Sequence, residues 1–421
     1  MTASAGVATA QDTLTLTLDS CLRYAHSHNI QVQTAQLGHE SSEAALTGAK
    51  ERFLPSLNAS ANQSLYSTDP NGGGGQYGIN GSLTLFNGLS NLRTLKQSRL
   101  SAEQSELKVR QTENSVDMQI VQAYLTILMN EEKLSYQQEV LETSRQQQLE
   151  GEVKYQVGRI LESDYLLLAA NYTSAQAEIE NTRLTIENNR SSLKSLLCLD
   201  ANHVIAVVPS ADTLRAADRA VEPRDSVVAQ AQRSMPDWQI SAMDVDLARY
   251  NVRLAESAFM PTLSLNAGYG GQWMSAAAAN AADASESTFN NSGSVSLGLS
   301  IPIFDRGSSI TQLKQSKISL QQAELQHQQT LIDLVDQLDD LYITTCQALN
   351  RYRSSEALSE AYHASYEVYV LKYGEGAVTT VEMLQQQDKY LSALNDYLQN
   401  KYSYILAEKQ MDIYTGKEIK L

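Results

Sequence analysis

Read at every second residue, the stretch from Ser56 to Asn87 sorts itself into two faces. One carries Leu57, Ala59, Ala61 and Leu65, then Tyr77, Ile79, Leu83 and Leu85. The other carries Ser56, Asn58, Ser60, Asn62 and Ser64, then Gln76, Asn80, Ser82 and Thr84. A period of two is the mark of a strand whose faces meet different media. The residues between, Thr68-Asp69-Pro70-Asn71 and a run of glycine from Gly72 to Gly75, form a turn. The device returns downstream. Leu263, Leu265, Ala267, Tyr269 and Trp273 alternate with Thr262, Ser264, Asn266, Gly268 and Gln272. After a loop rich in alanine, asparagine and serine, Val295, Leu297, Leu299, Ile301 and Ile303 alternate with Ser294, Ser296, Gly298 and Ser300. Four strands of about eleven residues, apolar on one face and small and polar on the other, have the length and pattern of tilted strands crossing a bilayer.

Composition narrows the class. With 19% charged and 42% hydrophobic residues the chain is a folding one. No run of eighteen apolar residues occurs, which excludes a transmembrane helix. A net charge of −16 argues against nucleic acid as a partner and fits a passage that favours cations. Ala8-Thr9-Ala10 has the small-x-small form of a signal-peptidase site, so the start reads as the remnant of a secretory signal. Cys21, Cys198 and Cys346 are too dispersed for a metal site and read as small buried apolar residues. His26 and His28, two apart on a helix, point to different sides. With no nucleophile elbow, phosphate loop or zinc motif, the expectation is a protein that is not an enzyme and has no cofactor or metal.

The rest of the chain is helical in pattern. After an alternating entry at Leu14–Leu18, Asp19 or Ser20 caps a helix running to about Arg52. From Leu89 to about Tyr155 there is no proline and no glycine except Gly151, enough for a helix of ~100 Å. Val116, Ile120, Tyr124 and Ile127/Leu128 form its apolar stripe. Another helix runs from about Glu162 to Leu199. Residues 200–224, punctuated by Pro209 and Pro223, read as a linker with a little structure around His203–Val208. A helix over about Asp225–Ala258 contains Pro236 as a break or a new start. A second long helix runs from Ser308 to about Tyr373, with Leu331, Leu334/Val335, Leu338 and Leu341/Tyr342 at helical spacing, and the last ends near Tyr414.

The halves superimpose by number. Phe53 and Pro55 match Phe259 and Pro261 at an offset of 206; Phe86, Tyr124, Tyr155 and Gly158 match Phe304, Tyr342, Tyr373 and Gly376 at 218. The slip of 12 falls in the second hairpin loop, where a duplicated unit tolerates insertion. The expected organisation is a flexible terminus (1–13), a first repeat (14–199, strand pair 56–87), a linker (200–224) and a second repeat (225–421, strand pair 262–304). Four membrane strands cannot stand alone, because their outer edges would leave backbone groups unpaired in hydrocarbon. Two copies would give an eight-stranded barrel filled by side chains; three give twelve strands and a lumen, which suits the small polar inner face.

This duplicated order of helix, Phe-x-Pro, strand pair, Phe-(Asn/Asp)-x-Gly and long helices resembles the TolC-like outer-membrane efflux protein family, over about Leu14 to Tyr414. The specific pieces are Phe53-Leu-Pro55, Phe259-Met-Pro261, Tyr155-Gln-Val-Gly158 with Glu162-Ser-Asp164, and Tyr373-Gly-Glu-Gly376 with Val381-Glu382-Met-Leu. The resemblance implies a mixed, mainly α fold with membrane β: long antiparallel helices in an α-barrel, and four strands per subunit of a trimeric twelve-stranded β-barrel. It implies a homotrimer in the outer membrane of a Gram-negative bacterium, extending into the periplasm, contacting lipid, and serving as exit duct of a tripartite efflux or type I secretion system with a periplasmic adaptor and an inner-membrane transporter. Asp164, Tyr373 and Glu382 fall at its periplasmic gate and selectivity positions, and Val157, Gly158, Arg159, Gly374, Gly376 and Ala377 at the adaptor-docking tips. Val378 stands where a gating arginine is expected and Gln385 where a second acid is, which leaves open how a closed state is held. Tyr66, Tyr77, Tyr269 and Trp273 suit an interfacial aromatic belt. Asp164 and Glu382 also suit helix N-termini, where carboxylates favour the dipole. The alternative function is a structural or adhesive coiled-coil protein of the envelope.

Overall fold

The computed structural model describes residues 13–65, 73–200, 203–208, 223–274 and 288–417. Among them the order is β1 (Thr13–Leu16), α1 (Leu18–His28), α2 (Ile30–Glu51), β2 (Ser56–Leu65), β3 (Gly73–Asn87), α3 (Ser90–Gln156), α4 (Glu162–Leu196), β4 (Val204–Val207), α5 (Arg224–Ser234), α6 (Pro236–Ser257), β5 (Thr262–Met274), β6 (Thr288–Ser300), α7 (Ser308–Gly374) and α8 (Thr380–Thr415). The signal remnant at Ala8–Ala10 and Tyr66 lie outside the described residues. The duplication holds to the residue in places. At an offset of 206, α1 and α2 fall on α5 and α6; at 218, α3 falls on α7 with 67 residues each.

The chain forms two compact units, and each half of the sequence contributes to both. One comprises residues 1–36, 109–236 and 331–421; the other comprises 37–108 and 237–330.

In the first unit, the predicted stripe becomes the core: Val116, Ile120, Val121, Tyr124, Ile127 and Leu128 pack with Cys21, Ala25, Leu193, Leu197 and Ile405. The stripe on α7 is narrower, with Leu334 and Leu338 buried. The expected linker holds β4, which pairs in parallel with β1 through Leu16↔Val207; Leu16, Ile205 and Val207 join the core, and the Tyr124 hydroxyl donates to the Val208 carbonyl at 2.7 Å. The single helix expected from Asp19 or Ser20 to Arg52 is two. Thr17, not Asp19 or Ser20, is the cap, and Ser20 completes a capping box with it. Asn29 breaks the run: its backbone is extended, and its side-chain oxygen accepts from Gln31 N (2.8 Å) and Val32 N (3.4 Å) while its amide donates to the Leu196 carbonyl (2.7 Å). A local cap thus outcompetes the continuous helix. The equivalent break, at Met235, is followed by Pro236 at the first helical position. Cys21 is buried as expected, but Cys346 is half-buried and Cys198 exposed. Cys198 takes φ 54° past the end of α4, where its amide bonds Ser195 O and Leu199 N bonds Lys194 O; this hydrogen-bonded stop also ends α4 at Leu196 rather than Leu199.

In the second unit, the strands form one antiparallel sheet in the order β2-β3-β5-β6. Polar side chains join the flanking helix segments: Gln104 donates to Ile240 O and Asp244, Gln97 to Asn251, and Arg93 to Ser257 and Arg253 O.

Both strand-to-helix turns use two successive left-handed residues, Gly88-Leu89 (φ 63° and 67°) and Arg306-Gly307 (58° and 82°). Glycine fills only one place of each pair, and not the same one. Asn87 and Asp305 cap the helices that follow, accepting from Asn91 N (3.2 Å) and Ser309 N (2.7 Å).

Candidate functional site

Two regions carry the expected site residues, the sheet in one unit and the helical tips in the other. In the sheet the pairing follows the faces read from alternation. Leu57, Gly81, Ala267 and Val295 share one row; Ser56, Ser82, Asn266 and Ser296 share the next. A bulge between Thr84 and Phe86 shifts the pairing, so that Phe86 rather than Leu85 pairs with Leu263. The apolar face is open: Leu57, Ile79, Tyr269, Phe289, Val295, Leu297 and Leu299 are all exposed.

Toward the loops, that face becomes aromatic. Tyr77 and Tyr269 are exposed and Trp273 half-buried. Each leans over a glycine of the neighbouring strand. A Cβ on Gly271 would meet the Tyr77 hydroxyl at 2.7 Å, one on Gly75 the Trp273 ring nitrogen at 2.5 Å, and one on Gly293 the Tyr269 ring at 3.4 Å. Tyr77 reaches across Gly271 to donate to Asn291 Oδ1 at 2.8 Å, which pairs a polar group on the apolar face. Phe289, opposite Trp273, belongs to the same aromatic set although alternation alone does not single it out. Its pairing opposite Trp273 is what places it there.

At the tips, α3–α4 and α7–α8 turn through the same hydrogen bonds. Gly158 (φ 71°) bonds Tyr155 O and Arg159 N bonds Lys154 O; Gly376 (φ 77°) bonds Tyr373 O and Ala377 N bonds Lys372 O. Nothing lies within 4 Å of a Cβ placed on Gly158, Gly374 or Gly376; Gly158 and Gly376, with positive φ, serve backbone conformation and not close packing. Val157 and Arg159 are exposed beside Gly158, and Ala377 is exposed beside Gly376. Val153, Val157 and Leu161 expose an apolar surface on the first tip.

The gate candidates part company. Glu382 is a capping residue: its Oε2 accepts from Thr379 N and Oγ1, both at 2.9 Å, while Thr379 Oγ1 accepts from Glu382 N at 3.3 Å. The Thr379 backbone N–H, then its hydroxyl, hold this exposed carboxyl below its ordinary pKa. At the matching place α4 has Leu161, which offers no side-chain cap, and Asp164 is half-buried in the first turn with no side-chain hydrogen bond among the described residues. Tyr373 is buried with Leu168 and Met383, and Val378 packs against that cluster. Its equivalent, Tyr155, is instead exposed and stacks on Tyr165, ring centres 5.7 Å apart. Among the described residues, no group of three His, Cys, Asp or Glu is arranged to hold a metal, and no helix is long and apolar enough to cross a membrane.

The profile of the family described as "Outer membrane efflux protein" matches residues 21–198 and 227–417, one segment on each repeat. The chain is 22% identical to the outer membrane efflux protein BepC of Brucella suis, over 98% of this chain and 88% of BepC. It is 21% identical to the outer membrane protein TolC of Vibrio cholerae, over 92% and 87% of the two chains. The fold matches the Campylobacter jejuni CmeC outer membrane channel with a TM-score of 0.76 at 21% identity, over 95% of this chain and 85% of that one.

Proposed function

The chain belongs to the outer membrane efflux protein family, and we propose that three copies of it form a passive exit duct through the outer membrane, fed from the periplasm by an adaptor and an inner-membrane pump. The observation that carries this reading is the sheet β2-β3-β5-β6, with both outer edges unpaired among the described residues and one apolar face exposed. In water such a face would be an adhesive patch. In lipid the face is at home, and the edges become the problem, since each unpaired backbone group there costs several kcal/mol. Closure with further copies removes the edges. Three copies make a twelve-stranded wall whose serine, asparagine and glycine face is wettable and leaves a lumen.

Other features support the same reading. The α3 and α7 helices, 67 residues each, are each ~100 Å of rod, the scale of a periplasmic conduit. Tyr77, Tyr269, Trp273 and Phe289 gather toward the loop end of the apolar face, as an aromatic girdle at a bilayer interface requires. The tips at Val157-Gly158-Arg159 and Gly374–Ala377, backed by exposed Val153 and Leu161, offer the adaptor an apolar docking surface. Asp164, with Tyr373 and Glu382 close by in sequence register, lines the periplasmic entrance and favours cations there. The duct does no chemistry on what passes; selection belongs to the pump.

Purification in detergent followed by planar-bilayer recording tests the whole. A trimer that conducts ions and resists heat dissociation is expected. A monomer that stays in solution without detergent would remove the proposal.

A further inference from the structure

All five phenylalanines of the chain lie at the two ends of the sheet. Phe289 is at the loop end. The other four are at the helix end, where antiparallel pairing brings together Ser56 with Ser82, and Thr262 with both Asn87 and Ser300. Phe53 and Phe259 each stand three residues before a strand, Phe86 pairs with Leu263, and Phe304 follows β6. All four are exposed, Phe304 at 84%.

The same end is basic. Residues 50–55, 86–99, 253–261 and 302–317 hold nine Lys and Arg against three acids, a net charge of +6 in a chain whose net charge is −16. Away from the sheet, the next acids along the four helices are Glu43, Glu103, Asp246 and Glu324, so the excess is confined to a few turns. Toward the loops there is no cation at all: residues 53–92 and 254–305 contain neither Lys nor Arg. Three of the nine are engaged. Arg99 pairs with Glu103 at 3.5 Å, Arg93 donates to Ser257 and the Arg253 carbonyl, and Arg253 stands over the Tyr250 ring. The other six, Lys50, Arg52, Lys96, Arg306, Lys314 and Lys317, are exposed and have no carboxylate within 4 Å among the described residues. Asp305, next to Arg306, is taken up as a cap by the Gly307 and Ser309 amides at 3.1 and 2.7 Å.

We propose that this end of the sheet is a headgroup site: the phenylalanines sit at the hydrocarbon boundary, and the six cations bind the phosphates of anionic phospholipids in the leaflet on the helix side. The inference rests on the reading of the sheet as a membrane wall. The headgroup zone of a bilayer is roughly 5–8 Å deep on each side. Lys50, Arg52 and Arg306 lie within a turn of the sheet; Lys96 and Lys314 are ~9 Å along their helices from Ser90 and Ser308, and Lys317 ~14 Å. Their stems lie back along the rod and carry the charge to the interface. A soluble anion would use the cations and leave four exposed phenylalanines without a role, whereas a phospholipid uses both. Each cation near an anionic leaflet contributes about fivefold in preference.

The experiment places the full-length protein in phosphatidylcholine vesicles with chain-spin-labelled phosphatidylglycerol or phosphatidylcholine. In electron spin resonance, the motionally restricted fraction of each label gives its relative affinity for the protein surface. Phosphatidylglycerol is expected to be preferred by about fivefold or more. The preference should fall toward one in 1 M salt, where the Debye length is ~3 Å, and in Lys50→Gln/Arg52→Gln/Lys96→Gln/Lys314→Gln. It should persist in Arg145→Gln/Arg183→Gln/Arg351→Gln/Lys389→Gln, which removes as many cations from helices of the first unit. Equal restriction of the two lipids by the parent overturns the headgroup site and leaves the duct standing. So does a preference that survives 1 M salt or the first variant, or that is lost equally in the second. The salt arm uses the unmodified protein and decides even where a variant misfolds. No restricted lipid of either kind overturns the membrane reading itself.

Discussion

His26 and Asp117 show what one pair decides at the residue scale. His26 Nε2 lies 2.7 Å from Asp117 Oδ1, on the border of the first unit's core, with Glu113 the other acid facing it. The Asp117 hydrogen bond, against partial burial, raises the His26 pKa above its ordinary value. A raised pKa means stability fully present below the unfolded value, near 6.5, and lost as pH climbs through the folded one. The melting temperature of the first unit should therefore fall as pH rises from about 6 to about 8, and Asp117→Asn should flatten that dependence in calorimetry. The two acids at the tips differ in the same local way. Glu382 is spent on its own helix end, so Glu382→Ala should lower the stability of α8, read as a lower denaturant midpoint. Asp164 has no such tie, so Asp164→Asn should reduce cation preference, read as reversal potential across a salt gradient, more than Glu382→Gln does.

At the scale of elements, the strand-to-helix turns separate conformation from space. Gly88 and Gly307 both have positive φ, but a Cβ on Gly88 would meet Met260 Cβ at 2.6 Å and Ser257 O at 2.8 Å, whereas Gly307 has nothing within 4 Å. Gly307→Ala should cost the ~1–2 kcal/mol of left-handed backbone, and Gly88→Ala clearly more; thermal unfolding of the paired variants decides. Arg306→Gly should gain stability by removing the penalty the second turn now carries. In the sheet, the aromatic–glycine pairs act as register pins. Tyr77→Phe should leave Asn291 unpaired on the lipid face at ~1–3 kcal/mol, seen as easier unfolding from lipid, and Asn291→Leu in the same chain should restore it.

For the whole molecule, each half of the chain feeds both units: the first unit's main core is drawn almost wholly from the first half, but the sheet takes two strands from each. A fragment spanning residues 14–199 alone should therefore not fold cooperatively, whereas co-expression with 225–421 should rescue a conducting assembly, checked by trimer recovery in detergent. Among the described residues the sheet ends in two unpaired edges, β2 and β6, and in the proposed trimer further copies cover them.

Much of this is legible in the letters. Side-chain alternation is a local property, so the four strands and their faces follow from residues two apart. Absence of helix breakers over 67 residues is also local, and so is the repetition that aligns Gly158 with Gly376. What the letters do not carry depends on who stands opposite. Asn29 wins a helix end with the help of its bond to the distant Leu196 carbonyl, and β4 is a strand because β1 lies beside it. Tyr155 and Tyr373 occupy equivalent places in the repeat, yet one stacks in the open and the other is buried with Leu168 and Met383. Sequence determines which side chains a helix offers to a face; only the tertiary packing decides which of them lose their water, and the energetics of the tip follow from that loss.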